Sequence, residues 1–452
     1  MEKTDLFENT RPAKALAVMA IPTVASQLVV LIYNLADTWF IGRTNDPYMI
    51  AASSLALTVY LATVAMSNVF GVGGGSLMAR LCGEKHMEEA KAVVSYSVSM
   101  CALSSLAFSV LAFLFMDPML KMLGASVNTL AYARQYVLTT TVIGGAPTAL
   151  SMCMPQLLRN SGYSKEAGIG VGIGSLINII LDPIFMFLLL PRGQEVLGAG
   201  MATMLSNICS LAYFVYEFRK LRKETVLVLP RRFERIDAKL RKGLYSVGIP
   251  AAFAIFLFDL VTIVINRLTA SYGDIPLAAM GIVLKLERIP INTGLGICLG
   301  MVPLVAYNYG AENFERMKKI SSLARNAVVI FSCICAAIFG IFTKEAVAMF
   351  MSNEDTVLQG AAFLRGRCLS LPFMMIGYHV VNYMNAVGEG KISFLLALLR
   401  HVILIIPILL IFNYAFGMNG LIWSQLVADS LNSIISIWIL SKVTRRQESA
   451  RK

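Results

Sequence analysis

Residues 15–41 read ALAVMAIPTVASQLVVLIYNLADTWFI. The only formal charge in that run is Asp37. About 20 apolar residues in a helix cross the ~30 Å hydrocarbon core of a bilayer, so the run reads as a membrane span. An ionised carboxylate inside it costs roughly 2.5–3.5 kcal/mol on insertion scales. Residues of that kind face a cavity or a partner, and they mark function. The plainer alternative is that Asp37 lies near the helix end and reaches water.

The rest of the chain repeats the pattern. Of its 452 residues 57% are hydrophobic and 15% charged, against about 25% charged in soluble domains. Apolar windows of span length lie near 15–41, 50–79, 92–116, 130–156, 167–190, 197–218, 244–270, 276–306, 321–342, 357–384, 393–413 and 420–441. The expected fold is therefore an all-α membrane protein with twelve transmembrane helices. The polar start MEKTDLFENTRPAK, and a first apolar stretch too long for a leader's core, predict no cleaved signal peptide. The eight cysteines lie almost all in apolar helix, with no C-x-x-C pair. They read as small buried hydrophobes rather than disulfides or metal ligands.

The net charge of +12 does not point to nucleic acid, because the basic residues sit in alternate loops. The segment after the sixth span reads EFRKLRKETVLVLPRRFERIDAKLRKG, and the chain ends KVTRRQESARK. The opposite loops hold little beyond Arg43, Lys121, Arg192 and Lys344. This bias places both termini in the cytoplasm. The basic linker reads as a solvated inner-surface loop.

The two halves echo each other. AIP at 20–22 matches GIP at 248–250, Gly83 matches Gly310, Glu88 matches Glu315, and RNSGYSK parallels NAVGEGK. Six spans per half is an even number, so the repeats insert in parallel, which is a transporter architecture. The expected organisation is a lobe over 1–218, a basic cytoplasmic linker over 219–243, a second lobe over 244–442 and a basic tail over 443–452.

Asp37 has company in the first half. Asn178 and Asp182 stand at i and i+4 on one face of the fifth span. Thr203 stands inside the sixth. The alternating span directions bring all four to a similar depth, where oxygen ligands suit a hard cation. Two carboxylates sharing a low-dielectric site can take up a proton or be neutralised by Na+, so Asp37 and Asp182 are also the metal candidates. Local capping or hydrogen bonding is the bland alternative for each. In the second half Ile265 stands where Asp37 would be and Ile408 where Asp182 would be, so any ion site is asymmetric. Asn34, Asp259, Asn266, Lys285 and Arg288 are the candidates for touching substrate. Mutual pairing of Asp259 with Lys285 or Arg288 is favoured over that role. Asp429 and His379 read as structural. The run GVGGG at 71–75 lacks the ending of a phosphate loop and instead permits close helix packing. Pro22 permits a bend in the first span.

AIPTVASQLVVLIYNLADTWFIG, GVGGGSLMARLCGE, LINIILDPIF with GAGMAT, and VPLVAYNYGAENFERMK together resemble the multidrug and toxic compound extrusion (MATE) family, in its bacterial multidrug-efflux branches. The resemblance implies two six-helix lobes, alternating access, and export of amphiphilic or cationic drugs against H+ or Na+. It implies a cation site at Asp37, Asn178, Asp182 and Thr203, and a bending proline at Pro22. The acidic residues of another branch have no counterpart in FMMIGYHVVNYMNAVG, and TALSMCMPQLLRN lacks the branch's helix-4 asparagine. The expected protein is thus a monomeric cation-coupled antiporter of the bacterial inner membrane, with lipid and small amphiphiles as partners and no cofactor beyond the coupling ion. The alternative is a lipid-linked precursor flippase of the same broad fold, with Lys285 and Arg288 on a pyrophosphate. An enzyme is disfavoured: His86, His379 and His401 are dispersed, and no H-E-x-x-H or G-x-S-x-G occurs.

Overall fold

A computed structural model of the chain describes residues 3–44, 46–230, 234–351 and 353–449. The described residues form helices and connecting turns, with no strand. A short helix α1 (Lys3–Glu8) precedes α2 (Pro12–Gly42), α3 (Pro47–Gly83), α4 (Met87–Leu114), α5 (Met116–Met122) and α6 (Val127–Val137). Then come α7 (Gly145–Asn160), α8 (Ser164–Pro183) and α9 (Glu195–Leu221). The second half holds α10 (Ala238–Ala270), α11 (Asp274–Gly310), α12 (Phe314–Ile341), α13 (Thr343–Ala348), α14 (Glu354–Cys368), α15 (Leu371–Val387), α16 (Gly390–Leu398), α17 (Ile406–Phe416) and α18 (Met418–Ser449).

Local chemistry sets several ends. Asp46 caps α3 by accepting from the Tyr48 N–H at 2.8 Å, and Asn353 caps α14 by accepting from Thr356 N–H at 2.9 Å. Gly388, at φ +85°, ends α15 in a left-handed turn that a side chain would resist. Large apolar side chains face outward throughout: Leu188 is 78% exposed and Ile341 71%. A soluble protein rarely tolerates such a surface; a lipid-facing one requires it.

Among the described residues ten helices are long and apolar enough to cross a membrane. An eleventh span results if α6 with its extension and α7, bent by 57°, count together. The expected span at 357–384 falls on α14 and α15, two shorter helices broken at Leu369–Ser370. The basic segment expected as a linker over 219–243 is helical at both ends, since α9 runs to Leu221 and α10 starts at Ala238; residues 231–233 lie outside the described residues. The expected tail over 443–452 instead continues α18 to Ser449, with 450–452 outside the described residues. Basic side chains in a last helical turn, such as Arg219 and Lys220 in α9, favour the negative end of the helix dipole and so extend the helix.

Two compact units emerge, one of residues 25–252, the other of 1–24 with 253–452. Helices α2 and α10 each contribute residues to both. In the first unit a core around Phe70, Met78, Cys153, Leu157, Phe214 and Phe218 sits apart from a second one around Met49, Tyr136 and Met186. The glycine run of α3 works as a packing surface: a Cβ on Gly73 would stand 2.9 Å from the Gly248 Cα of α10. In the second unit α1 is tied down by stacking of Phe7 on Tyr307 and by Arg316, which donates to the Phe7 carbonyl at 2.7 Å. All eight cysteines are free, but Cys209 and Cys333 are exposed rather than buried.

Among the described residues three helices pass into π-helical stretches, at Leu138–Ile143, Ile184–Leu189 and Leu399–Ile405. Such stretches are rare and often stand at functional sites. Here each adjoins a polar group in an apolar setting: Tyr136 and Thr139–Thr141, Asp182, and Arg400 with His401.

Candidate functional site

Asn178 and Asp182 are one turn apart on α8, and both are buried. The π-helical stretch begins two residues after Asp182. Thr203, on the first turns of α9, is buried against them. With its amide nitrogen toward Asp182, Asn178 donates to Asp182 Oδ2 at 3.1 Å and accepts from the Thr203 backbone N–H at 3.2 Å. The i, i+4 spacing on α8 thus bridges two helices at one polar centre.

Asp37, near the end of α2, lies close enough to Asp182 for the two carboxylates to repel. Its Oδ1 is buried and has no hydrogen-bond partner among the described residues. A buried carboxylate oxygen without a donor is costly, and a bound cation or proton would remove that cost. Every donor atom in the group is oxygen, the set a hard monovalent cation prefers. If a sodium ion binds here, Asp37, Asn178, Asp182 and Thr203 are the residues to hold it. Among the described residues no group of three His, Cys, Asp or Glu is placed to hold a metal ion.

Around the carboxylates stands a set of tyrosines that sequence reasoning missed. Tyr33, Tyr60 and Tyr136 all feel the charge of Asp37. Tyr136 is within side-chain reach of Thr203, and Tyr60 within reach of Tyr33 and Asn207. Asn207 in turn donates to Thr148 Oγ1 at 3.0 Å and accepts from Ser151 at 3.3 Å. The fourth span therefore reaches this polar group through Thr148 and Ser151. Every one of these residues belongs to the unit of 25–252.

The other candidates are scattered. Asn34 is exposed, and its carbonyl accepts from Thr38. Asn266 and Lys285 are exposed too. Arg288 stacks on Phe258, its guanidinium carbon 4.8 Å from the ring centre, and its charge reaches Asp259. Glu287, grouped with these in the sequence, points elsewhere: it forms a buried bidentate pair with Arg367, at 2.6 and 2.8 Å. A second buried pair joins Arg400 to Asp429 at 2.7 Å. His379 bonds to Ser321. Pro22 lies inside an uninterrupted α2.

The MatE family model matches the chain twice, over residues 22–184 and 250–411. The chain is 30% identical over 439 residues to multidrug export protein MepA of Staphylococcus aureus strain MSSA476, covering 97% of this chain and 96% of that protein. For the MepA of strain MRSA252 the identity is 31% over 440 residues, with the same coverage. Among solved structures, a crystal structure of MATE in complex with MaL6 superposes with a TM-score of 0.93 at 21% identity, covering 99% of this chain and 100% of that one. An outward-facing conformation of a multidrug resistance MATE family transporter of the MOP superfamily gives 0.93 at 21% identity, covering 99% of each. At that identity the likeness speaks for the fold.

Proposed function

We propose that this chain, which belongs to the MatE family, is a multidrug exporter driven by cation exchange. The relatives it matches along nearly their whole length carry the name multidrug export protein, and its many outward-facing apolar helices suit a multi-pass cell-membrane protein. The observation that carries the coupling is the buried centre in which Asn178 bridges Asp182 to Thr203 while Asp37 Oδ1 stays without a donor.

The chemistry runs as follows. With both carboxylates charged and empty, their repulsion and desolvation disfavour a closed centre. A proton or Na+ cancels that charge and favours the arrangement of α2, α8 and α9 that encloses it. Amphiphilic or cationic substrate favours the other arrangement. A ligand shifts such an equilibrium only by its differential affinity for the two states, so the exchange is coupled when cation and substrate favour opposite ones. In this reading the two sequence repeats are lobes that alternate access, in a bacterial cytoplasmic membrane, with the monomer as the working unit and both termini inside.

The test uses proteoliposomes loaded with ethidium, with Na+ and pH gradients imposed separately. The wild-type chain exports under at least one gradient. Asp37→Asn and Asp182→Asn each cut gradient-driven export at least tenfold while the purified protein keeps its size-exclusion profile. Wild-type export rates in the double variant refute the reading.

A further inference from the structure

We infer that the second half of the chain holds a site for a small monovalent anion, in a partly open cavity lined by Glu287 and Arg288 of α11, Arg367 of α14, Arg400 and His401 of the π-helical stretch, and Gln425 of α18. Arg288 is itself exposed; the other two arginines and His401 are buried. The cavity has a volume of about 50 Å³, room for one small ion or a few waters. It lies wholly within the unit that contains residues 253–452.

The hydrogen-bond inventory of its walls is lopsided. The carboxylates are engaged: both oxygens of Glu287 accept from Arg367, and Asp429 accepts from Arg400. Donors are left over. Arg367 commits Nε and Nη2 to Glu287, two of the five N–H groups a guanidinium carries. Arg288 makes no ion pair within 4 Å among the described residues; it stacks on Phe258, and Asp259 acts on it only from a longer distance.

His401 adds a donor by elimination. Its Nε2 lies 3.4 Å from Arg400 Nη1, and a guanidinium can only donate. Nε2 is therefore the acceptor, and the proton of the neutral ring sits on Nδ1. Nδ1 is buried with no partner among the described residues. A buried N–H without an acceptor is the feature that a bound anion would explain.

The repeat sharpens the contrast. Ile265, the counterpart of Asp37, lines this cavity, and Ile408 is the counterpart of Asp182. Where the first half presents two carboxylates, the second presents Ile265, a Glu287 carboxylate already held by Arg367, and further N–H groups. The two related pockets thus have opposite charge preferences. This inference does not depend on the coupling proposed for Asp37 and Asp182.

The experiment measures thermal unfolding of the purified full chain in detergent at fixed Na+ and fixed ionic strength, exchanging gluconate for chloride, bromide or acetate. Chloride and bromide are expected to raise the midpoint saturably over gluconate. A response to acetate as well assigns carboxylates to the same site; its absence restricts the site to halides. Arg288→Gln should raise the half-saturating concentration at least tenfold, and Lys285→Gln, an exposed neighbour outside the cavity, should match the wild type. Crystals soaked in bromide should show an anomalous peak beside His401 Nδ1. Equal midpoints in every anion, a shift that follows Na+ in place of the anion, an unchanged Arg288→Gln response, or no bromide peak in the cavity would each overturn the site.

Discussion

Glu287 and Arg367 are both almost fully enclosed, and their two parallel contacts leave neither charge to the lipid. Breaking one partner of a buried pair strands the other charge, at a cost of about 3–5 kcal/mol, whereas replacing both by apolar groups is often near neutral. Arg367→Met should therefore lower the unfolding midpoint sharply, and Glu287→Leu together with Arg367→Met should recover most of the loss. Melting curves recorded in gluconate, free of any anion effect, check this; additive losses in the double variant would show that the pair does not act as a unit. These residues also show what could be read from the chain. Asp37 and Asp182 stood out because a carboxylate in an apolar run has few innocent explanations. The partners of Glu287 and Asp429 did not, because Arg367 and Arg400 lie 80 and 29 positions away along the chain, and only packing selects them. The tyrosines about Asp37 were equally hidden: aromatic residues are common in membrane helices, and nothing in their spacing separates a site wall from a core.

Helices were legible wherever hydrophobic length alone decides, and less so where a helix breaks. The α14–α15 break at Leu369–Ser370 and the π-helical stretches beside Asp182 and Arg400 each have a proline next to them, Pro372, Pro183 and Pro407; a proline removes a helical hydrogen bond but does not by itself say whether the helix breaks, bends or widens. The glycines of α3 are the opposite case, since small residues at a helix crossing have a direct steric meaning. A Cβ on Gly73 would meet the Leu244 carbonyl oxygen at 2.5 Å and the Gly248 Cα at 2.9 Å, both backbone atoms that cannot swing aside. Gly73→Val should therefore leave little protein in a monodisperse size-exclusion peak. Gly172 on α8 has open space around its would-be Cβ, and Gly172→Ala should be neutral or stabilise by up to about 1 kcal/mol through helix propensity. Equal yields of the two variants would mean that α3 and α10 do not cross as closely as described.

At the scale of the whole molecule, the number of crossings decides which side of the membrane each end occupies. Among the described residues ten helices meet the length and hydropathy of a span, an eleventh comes from the bent α6–α7 pair, and α14 with α15 supplies the segment in dispute. An odd count puts the termini on opposite faces; an even count puts them together. The repeat argues for the even count, because two equivalent copies, matched over 22–184 and 250–411, contribute equal numbers of crossings and so an even total. In that register α14–α15, interrupted at Leu369–Ser370, corresponds to α6–α7, a pair bent by 57°. The charge bias then selects the side: the segment from Arg219 to Lys242 and the end of α18 are the most basic parts of the chain, and such segments stay in the cytoplasm. Green fluorescent protein fused after Lys452 should accordingly fluoresce, and alkaline phosphatase at the same point should be inactive. Phosphatase fused at Lys344, in the short helix α13 that follows α12, should be active. An active phosphatase at Lys452 would make the crossings odd, take α14–α15 out of the membrane, and remove the parallel duplication on which an alternating pair of lobes depends.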